Sequence, residues 1–178
     1  CLSYLGQLEF SSLCFADSTT ATISLGGFTY GTNVADIARG YATVANGGFY
    51  TGGTCIRSLA NYKDGVIFEY DNTKGKQVYS QDTAFMLTDM LEGSFYEAYG
   101  TAQSYLDGSQ VFAGKTGTTN DNKDAWFAGF SRYYTTAVWM GYGMPEEMDG
   151  VYGSTYPAEI WSDFMGKAQQ GPEKLDFA

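Results

Sequence analysis

GKTGTTNDNKDAWFAGF, residues 114–130, predicts a strand, a turn and a second strand. Residues 111–118 read as the first strand. Residues 125–130 read as the second. It is apolar on both faces, with Trp126, Ala128 and Phe130 on one and Ala125, Phe127 and Gly129 on the other. Asn120 and Asp124 fit a structural turn or cap between the two. A third strand, residues 135–142, is again apolar on both faces. The link Ser131-Arg132-Tyr133-Tyr134 is short enough to set the last two strands antiparallel. Apolarity on both faces predicts strands in the middle of a sheet covered on both sides. It also predicts Trp126 and Trp139 as core residues.

Helical periodicity flanks this unit. Val34, Ile37, Ala38, Tyr41 and Ala45 recur on one face of a predicted helix over residues 33–45, with Gly47 as its left-handed stop. Ser80 is a predicted N-cap for a helix reaching Tyr96. Phe85, Met86, Leu87, Met90 and Leu91 give that helix a broad apolar surface, which predicts burial. Ile160, Trp161, Phe164, Met165 and Ala168 form a stripe on a last helix, residues 157–168, with Pro157 in its first turn. TCIRSLA (54–60) and GVIFEY (65–70) read as a strand pair, and the first 32 residues as loops with short ordered pieces. No repeat or linker divides the chain, so its 178 residues are expected to form one unit.

Charge and cysteine usage exclude several function classes. The net charge of −10 and only ten scattered basic residues argue against a nucleic-acid binder. The chain has no His, which removes a Ser-His-Asp triad or a Cys-His dyad. Cys1, Cys14 and Cys55 have neither CxxC spacing nor an even count, against a zinc site or a disulfide framework. No run approaches the length of a transmembrane helix. The chain opens on CLSYLGQLEF, without an initiator Met or a basic leader, and is expected to be a piece of something longer.

Lys115 is the first basic residue after Lys76, and it sits in Gly114-Lys115-Thr116-Gly117-Thr118-Thr119. A P-loop requires GxxxxGK[ST]. Here Gly108 falls one position too far upstream, and the residues between are strand-like. Asn122-Lys123-Asp124 likewise misses NKxD by one place. The KTG element of serine D,D-peptidases and β-lactamases fits instead. GKTGTTNDNKDAWFAGF followed by TTAVWMGYG resembles the class A penicillin-binding protein transpeptidase pattern at nearly every position. Ser24-Leu25-Gly26-Gly27, then IARGYATVANGG (37–48), Thr88-Asp89-Met90-Leu91, Gly100-Thr101-Ala102 and YPAEIW (156–161) resemble the same family in the same order.

The resemblance implies an α/β (α+β) fold, an antiparallel sheet flanked by helices as in serine β-lactamases and D,D-transpeptidases. It implies a substrate that carries a terminal carboxylate and a reactive carbonyl: a D-Ala-D-Ala stem peptide, or a β-lactam that mimics it. Lys115 would supply a positive field for the carboxylate, and Thr116 and Thr118 hydroxyl donors to it. Gly117 would let the ligand approach the backbone. The Thr118 N–H would be an oxyanion-hole donor. Lys115 and Thr118 are thus the implied catalytic residues, and Lys115, Thr116, Gly117 and Thr118 the implied substrate-binding residues. No metal or organic cofactor is implied. A membrane-anchored parent acting on the extracytoplasmic face of a bacterial membrane is implied, because the substrate lies there.

The family's nucleophile, in SxxK, and its SxN element do not occur: no Ser has Lys three or Asn two positions later. Tyr70-Asp71-Asn72 is a formal YxN, but it falls in a predicted turn at the wrong place in the family order. Both motifs are expected upstream of Cys1, together with the family's first two strands. Residues 1–178 would then be the C-terminal part of one transpeptidase domain, inactive alone. Its open sheet edge and uncovered helix face would either self-associate or take up the missing N-terminal part. A related D,D-carboxypeptidase or β-lactamase, and a non-catalytic module that binds β-lactams or peptides, remain the alternatives.

Overall fold

The computed structural model describes residues 1–105 and 108–177. A short helix α1 (Leu2–Gln7) and two 3-10 turns (Phe15–Thr19, Ala21–Leu25) lead into α2 (Val34–Ala45). Asn33 caps α2 by accepting from the Asp36 N–H at 2.8 Å, and Gly47 leaves the helix with φ +62°. Strands β1 (Phe49–Tyr50) and β4 (Lys76–Gln77) pair antiparallel around the hairpin β2 (Ser58–Asn61) and β3 (Gly65–Glu69). Helix α3 (Gln81–Tyr96) starts at Ser80, whose hydroxyl accepts from the Thr83 N–H. Strands β5 (Ala113–Thr118), β6 (Asp124–Phe130) and β7 (Thr135–Gly141) follow, then α4 (Tyr156–Ala168) with Pro157 in its first turn.

The main sheet is antiparallel in the order β5-β6-β7, with Lys115 opposite Ala128, Gly117 opposite Trp126, and Phe127 opposite Val138. Side chains alternate across the strands. Phe127 therefore enters a core with Phe95, Phe112, Ala158, Trp161 and Met165 on the α4 side. Phe130 joins Val44 and Tyr41 of α2 on the other side. The apolar alternation of β6 on two faces is explained by helices on both.

Two expectations are corrected. Strand β7 is covered on both faces by α2 and α4, but it ends the sheet and is not in its middle. Two-faced apolarity reports what lies above and below a strand; it is silent on lateral neighbours. Helix α3 is also less buried than its composition predicts. It packs on β5 and α2 and buries Ala84, Thr88 and Phe95, with Leu87 and Leu91 against the cluster of Val44, Ala113 and Phe130, while Phe85, Met86 and Met90 remain 59, 60 and 65% exposed. Nothing among the described residues covers that face. Among the described residues, no helix is long and apolar enough to cross a membrane.

Candidate active site

Residues Lys115–Thr118 lie on β5, the edge strand. A ladder strand disposes of the phosphate-loop alternative, since these backbone groups are extended and half of them are committed to β6. Thr119 N–H donates to Asp124 O at 3.0 Å, which fixes the phase of the antiparallel ladder. In such a ladder alternate residues direct both backbone groups at the partner. Gly117 and Lys115 therefore face β6, and Thr116 and Thr118 present their N–H and C=O to the free edge.

The side chains on this edge are tied to one another. Lys115 Nζ donates to Thr116 O and to Thr116 Oγ1, both at 3.1 Å. The Thr116 hydroxyl lies 3.1 Å from that of Thr101. Thr118 Oγ1 accepts from Gly153 N–H at 3.0 Å. Among the described residues, Lys115 forms no ion pair with a carboxylate.

Lys115, Thr116, Gly117 and Thr118 line a cleft of about 740 Å³. Apolar residues complete much of the lining: Leu25 and Phe28 from the N-terminal loop, Ile37 and Tyr41 from α2, and Trp126 and Ala128 from β6. Burial pushes the Tyr41 hydroxyl up to about 12. A Cβ at position 117 would stand 3.3 Å from the Trp126 Cβ, which keeps this part of the wall flat. Ser24 also lines the cleft, but among the described residues its hydroxyl has no lysine partner. A serine nucleophile needs a base within hydrogen-bond reach.

The N-terminal loop is held by two buried carboxylates. Asp36 accepts from the Ser11 N–H at 2.8 Å and the Ser11 hydroxyl at 2.7 Å, and pairs with Arg39. Burial pushes its pKa up, but the Ser11 bonds and the Arg39 charge bring it below the ordinary value. Asp17 accepts from the Cys14 N–H at 2.9 Å and from the Thr29 N–H and hydroxyl at 2.8 and 2.7 Å. The Cys14 N–H, then the two Thr29 groups, hold its pKa down at about 2, against an ordinary 3.8. A depressed carboxyl stabilises the fold fully above the ordinary value and ceases to do so as pH falls through the depressed one. Amide exchange in residues 14–29 is therefore expected to rise between about pH 4 and pH 2. In Asp17→Asn the loop should be open already at pH 6, with no added opening on acidification. A wild-type loop protected equally at pH 6 and pH 2 would contradict this.

The structure brings all four predicted site residues to one cleft, and Thr101 and Gly153, which sequence reasoning missed, hydrogen-bond to the hydroxyls of Thr116 and Thr118. Thr101 was visible only within the Gly100-Thr101-Ala102 resemblance, and Gly153 gave no signal. Trp126, expected in the core, is a cleft wall. It packs on Trp139 with ring centroids 6.2 Å apart, and Trp139 is 38% exposed. Asp124 fills its expected structural role: its N–H donates to Thr119 Oγ1 and its carboxylate accepts from Trp139 Nε1. The Tyr70-Asp71-Asn72 triplet follows β3 and is not among the cleft's lining residues.

Comparison with known proteins places this geometry. A family model described as the penicillin binding protein transpeptidase domain matches residues 6–166. The chain is 38% identical over 148 residues to penicillin-binding protein 1A of Clostridium botulinum, covering 83% of this chain and 18% of the relative. It is 30% identical over 166 residues to penicillin-binding protein 4 of Bacillus subtilis, covering 93% and 26%. The chain thus spans about a fifth to a quarter of the length of these relatives. Among solved structures, the penicillin-binding protein PonA1 of Mycobacterium tuberculosis superposes with a TM-score of 0.83 at 28% identity, over 98% of this chain and 50% of that one. Its complex with penicillin V gives 0.81, again at 28% identity. With a strand of this kind at the edge of a helix-covered antiparallel sheet, and a family match over 161 of its residues, the chain belongs to the penicillin-binding protein transpeptidase family.

Proposed function

We propose that this chain is the C-terminal part of a single D,D-transpeptidase domain that cross-links cell-wall stem peptides through a serine acyl-enzyme. The observation that carries it is the free edge of β5, where the outward N–H of Thr118, the hydroxyls of Thr116 and Thr118 and the unpaired charge of Lys115 line one cleft. An extended peptide adds to such an edge by backbone hydrogen bonds. Its terminal carboxylate meets Lys115 and the two hydroxyls, and the carbonyl to be attacked meets the Thr118 N–H. The relative solved in complex with penicillin V supports β-lactam binding by this fold.

The nucleophile comes from a segment not in this chain. A serine oxygen there, relieved of its proton by the lysine of SxxK, adds to the penultimate D-Ala carbonyl. The peptide C–N bond breaks, and the terminal D-Ala leaves as the amine with that proton. An acceptor amine then displaces the serine oxygen, forming the cross-link and restoring the hydroxyl. The Thr118 N–H stabilises the oxyanion in both halves, and Lys115 holds the carboxylate in the first. By itself the chain forms no acyl-enzyme. The complete protein acts at the extracytoplasmic face of the membrane, where stem peptides are found.

Release of D-alanine tests the reading. The full-length protein that contains this segment should release the terminal alanine from a peptide ending in D-Ala-D-Ala and not from one ending in D-Ala-L-Ala. Substitution Lys115→Ala should reduce that release at least about tenfold, as expected for losing a charge-assisted contact. A full-length protein that binds penicillin but never releases D-alanine would favour the non-catalytic binding module instead.

A further inference from the structure

The chain between β7 and α4 returns to the sheet and lies against β5 and β6, where Gly153 is seated on the strands. A Cβ at Gly153 would lie 2.4 Å from Trp126 O, 2.5 Å from Gly117 O and 2.8 Å from Gly117 N, all backbone atoms that cannot step aside. Only glycine fits there. Its N–H donates to Thr118 Oγ1 at 3.0 Å. The turn that presents it is fixed at several points. Thr155 N–H and Thr155 Oγ1 donate to Tyr152 O at 3.0 and 2.8 Å, and Tyr105 Oη donates to Ser154 O at 2.7 Å. Tyr105 packs against the core around Phe95 and Trp161, and its own carbonyl accepts from Ser162 of α4.

A threonine hydroxyl has one proton and two lone pairs. The Gly153 bond occupies a lone pair and fixes the oxygen, and among the described residues this hydroxyl makes no other hydrogen bond. Its proton is left to be donated, on a side chain that lines the cleft. A hydroxyl held in this way suits a ligand group that only accepts, which is the property of a carboxylate. An N–H donor feeding the oxygen also makes the O–H a stronger donor.

We propose that the 152–155 turn, locked by Tyr105, is a brace that aims the Thr118 hydroxyl at the ligand's carboxylate, making Gly153 and Tyr105 positioning residues for carboxylate recognition. This rests on the reading of Thr118 as a carboxylate donor.

The test compares acylation of the full-length protein by benzylpenicillin and by its methyl ester, which lacks the anionic carboxylate. Thr118→Val should reduce acylation efficiency with the acid about 10- to 100-fold, the range of a hydrogen bond to a charged group, and leave the ester nearly unaffected. Tyr105→Phe keeps the ring in the core and removes only the hydroxyl that holds the turn. It should reduce the acid's efficiency about three- to tenfold through weaker binding, with the limiting acylation rate and the ester unchanged. In Tyr105→Phe/Thr118→Val the acid should react no more slowly than in Thr118→Val alone, because the brace then has nothing to aim. Gly153→Ala should repeat the Tyr105→Phe pattern more strongly if it folds; Tyr105→Phe carries the test if it does not. Equal losses with acid and ester, or losses that add in the double variant, would overturn the brace while leaving the Thr118 reading intact. An acid preference undiminished in Thr118→Val would overturn both.

Discussion

Replacing Thr118 with proline in the full-length protein is expected to slow acylation by penicillin about a hundred- to a thousandfold beyond the loss in Thr118→Val, the usual loss on removing one oxyanion donor. The substitution is unusually clean for a strand. Proline in a ladder ordinarily breaks a backbone hydrogen bond and is tolerated only where the N–H faces outward. The pairing of Thr119 with Asp124 places the Thr118 N–H on that outward side, so the ladder with β6 should survive. Proline also removes the side-chain hydroxyl, and Thr118→Val supplies the control because it loses the hydroxyl and keeps the N–H. The proline variant should fall well below the valine variant. If the two acylate at the same rate, the backbone N–H of residue 118 does not stabilise the reacting carbonyl.

A second large effect is expected far from the cleft. Trp161 is fully buried, with ring centroids 5.0 Å from Phe127, 5.2 Å from Phe112 and 5.7 Å from Phe95. Its indole N–H donates to Thr136 O of β7 at 3.0 Å. One side chain therefore joins α4 to two strands of the sheet and to the end of α3. Trp161→Ala should cost about 3–5 kcal/mol, from the lost burial, the cavity and an orphaned carbonyl. A domain has only about 5–15 kcal/mol in total. Trp161→Phe keeps most of the packing and should cost clearly less. Urea unfolding reads both, and an alanine variant within about 1 kcal/mol of the wild type would remove Trp161 from the centre of the core.

The parts of the fold legible in the sequence were those with local causes. Ser80, the predicted N-cap, and Asn33, the predicted start of α2, each bond their own helix start, so both predicted beginnings stand at the observed helix boundaries. Strands β6 and β7 appear within a residue of their predicted limits, because apolar two-faced runs admit little else. Strand β5 begins two residues late, at Ala113: Phe112 is buried beside Trp161 before the ladder begins. Lateral order was not legible, since the apolarity of β7 reflects α2 and α4 and not a neighbouring strand. The exposure of Phe85, Met86 and Met90 was not legible either, because composition does not say which side of a helix has a partner. At the site, Lys115, Thr116, Gly117 and Thr118 are adjacent in sequence and were found together. Thr101 and Gly153 reach them from 15 and 35 residues away through hydrogen bonds that no spacing rule encodes.

The central claim is that this chain supplies the binding strand of the site and another segment supplies the nucleophile. Labelled penicillin tests it most directly, applied to this chain alone and then to this chain mixed with a segment carrying SxxK and SxN from the same protein. The account predicts no covalent label on either piece alone. In the mixture it predicts label on the serine of the added segment, abolished by Thr118→Pro in this chain. A covalent adduct on this chain by itself would contradict it.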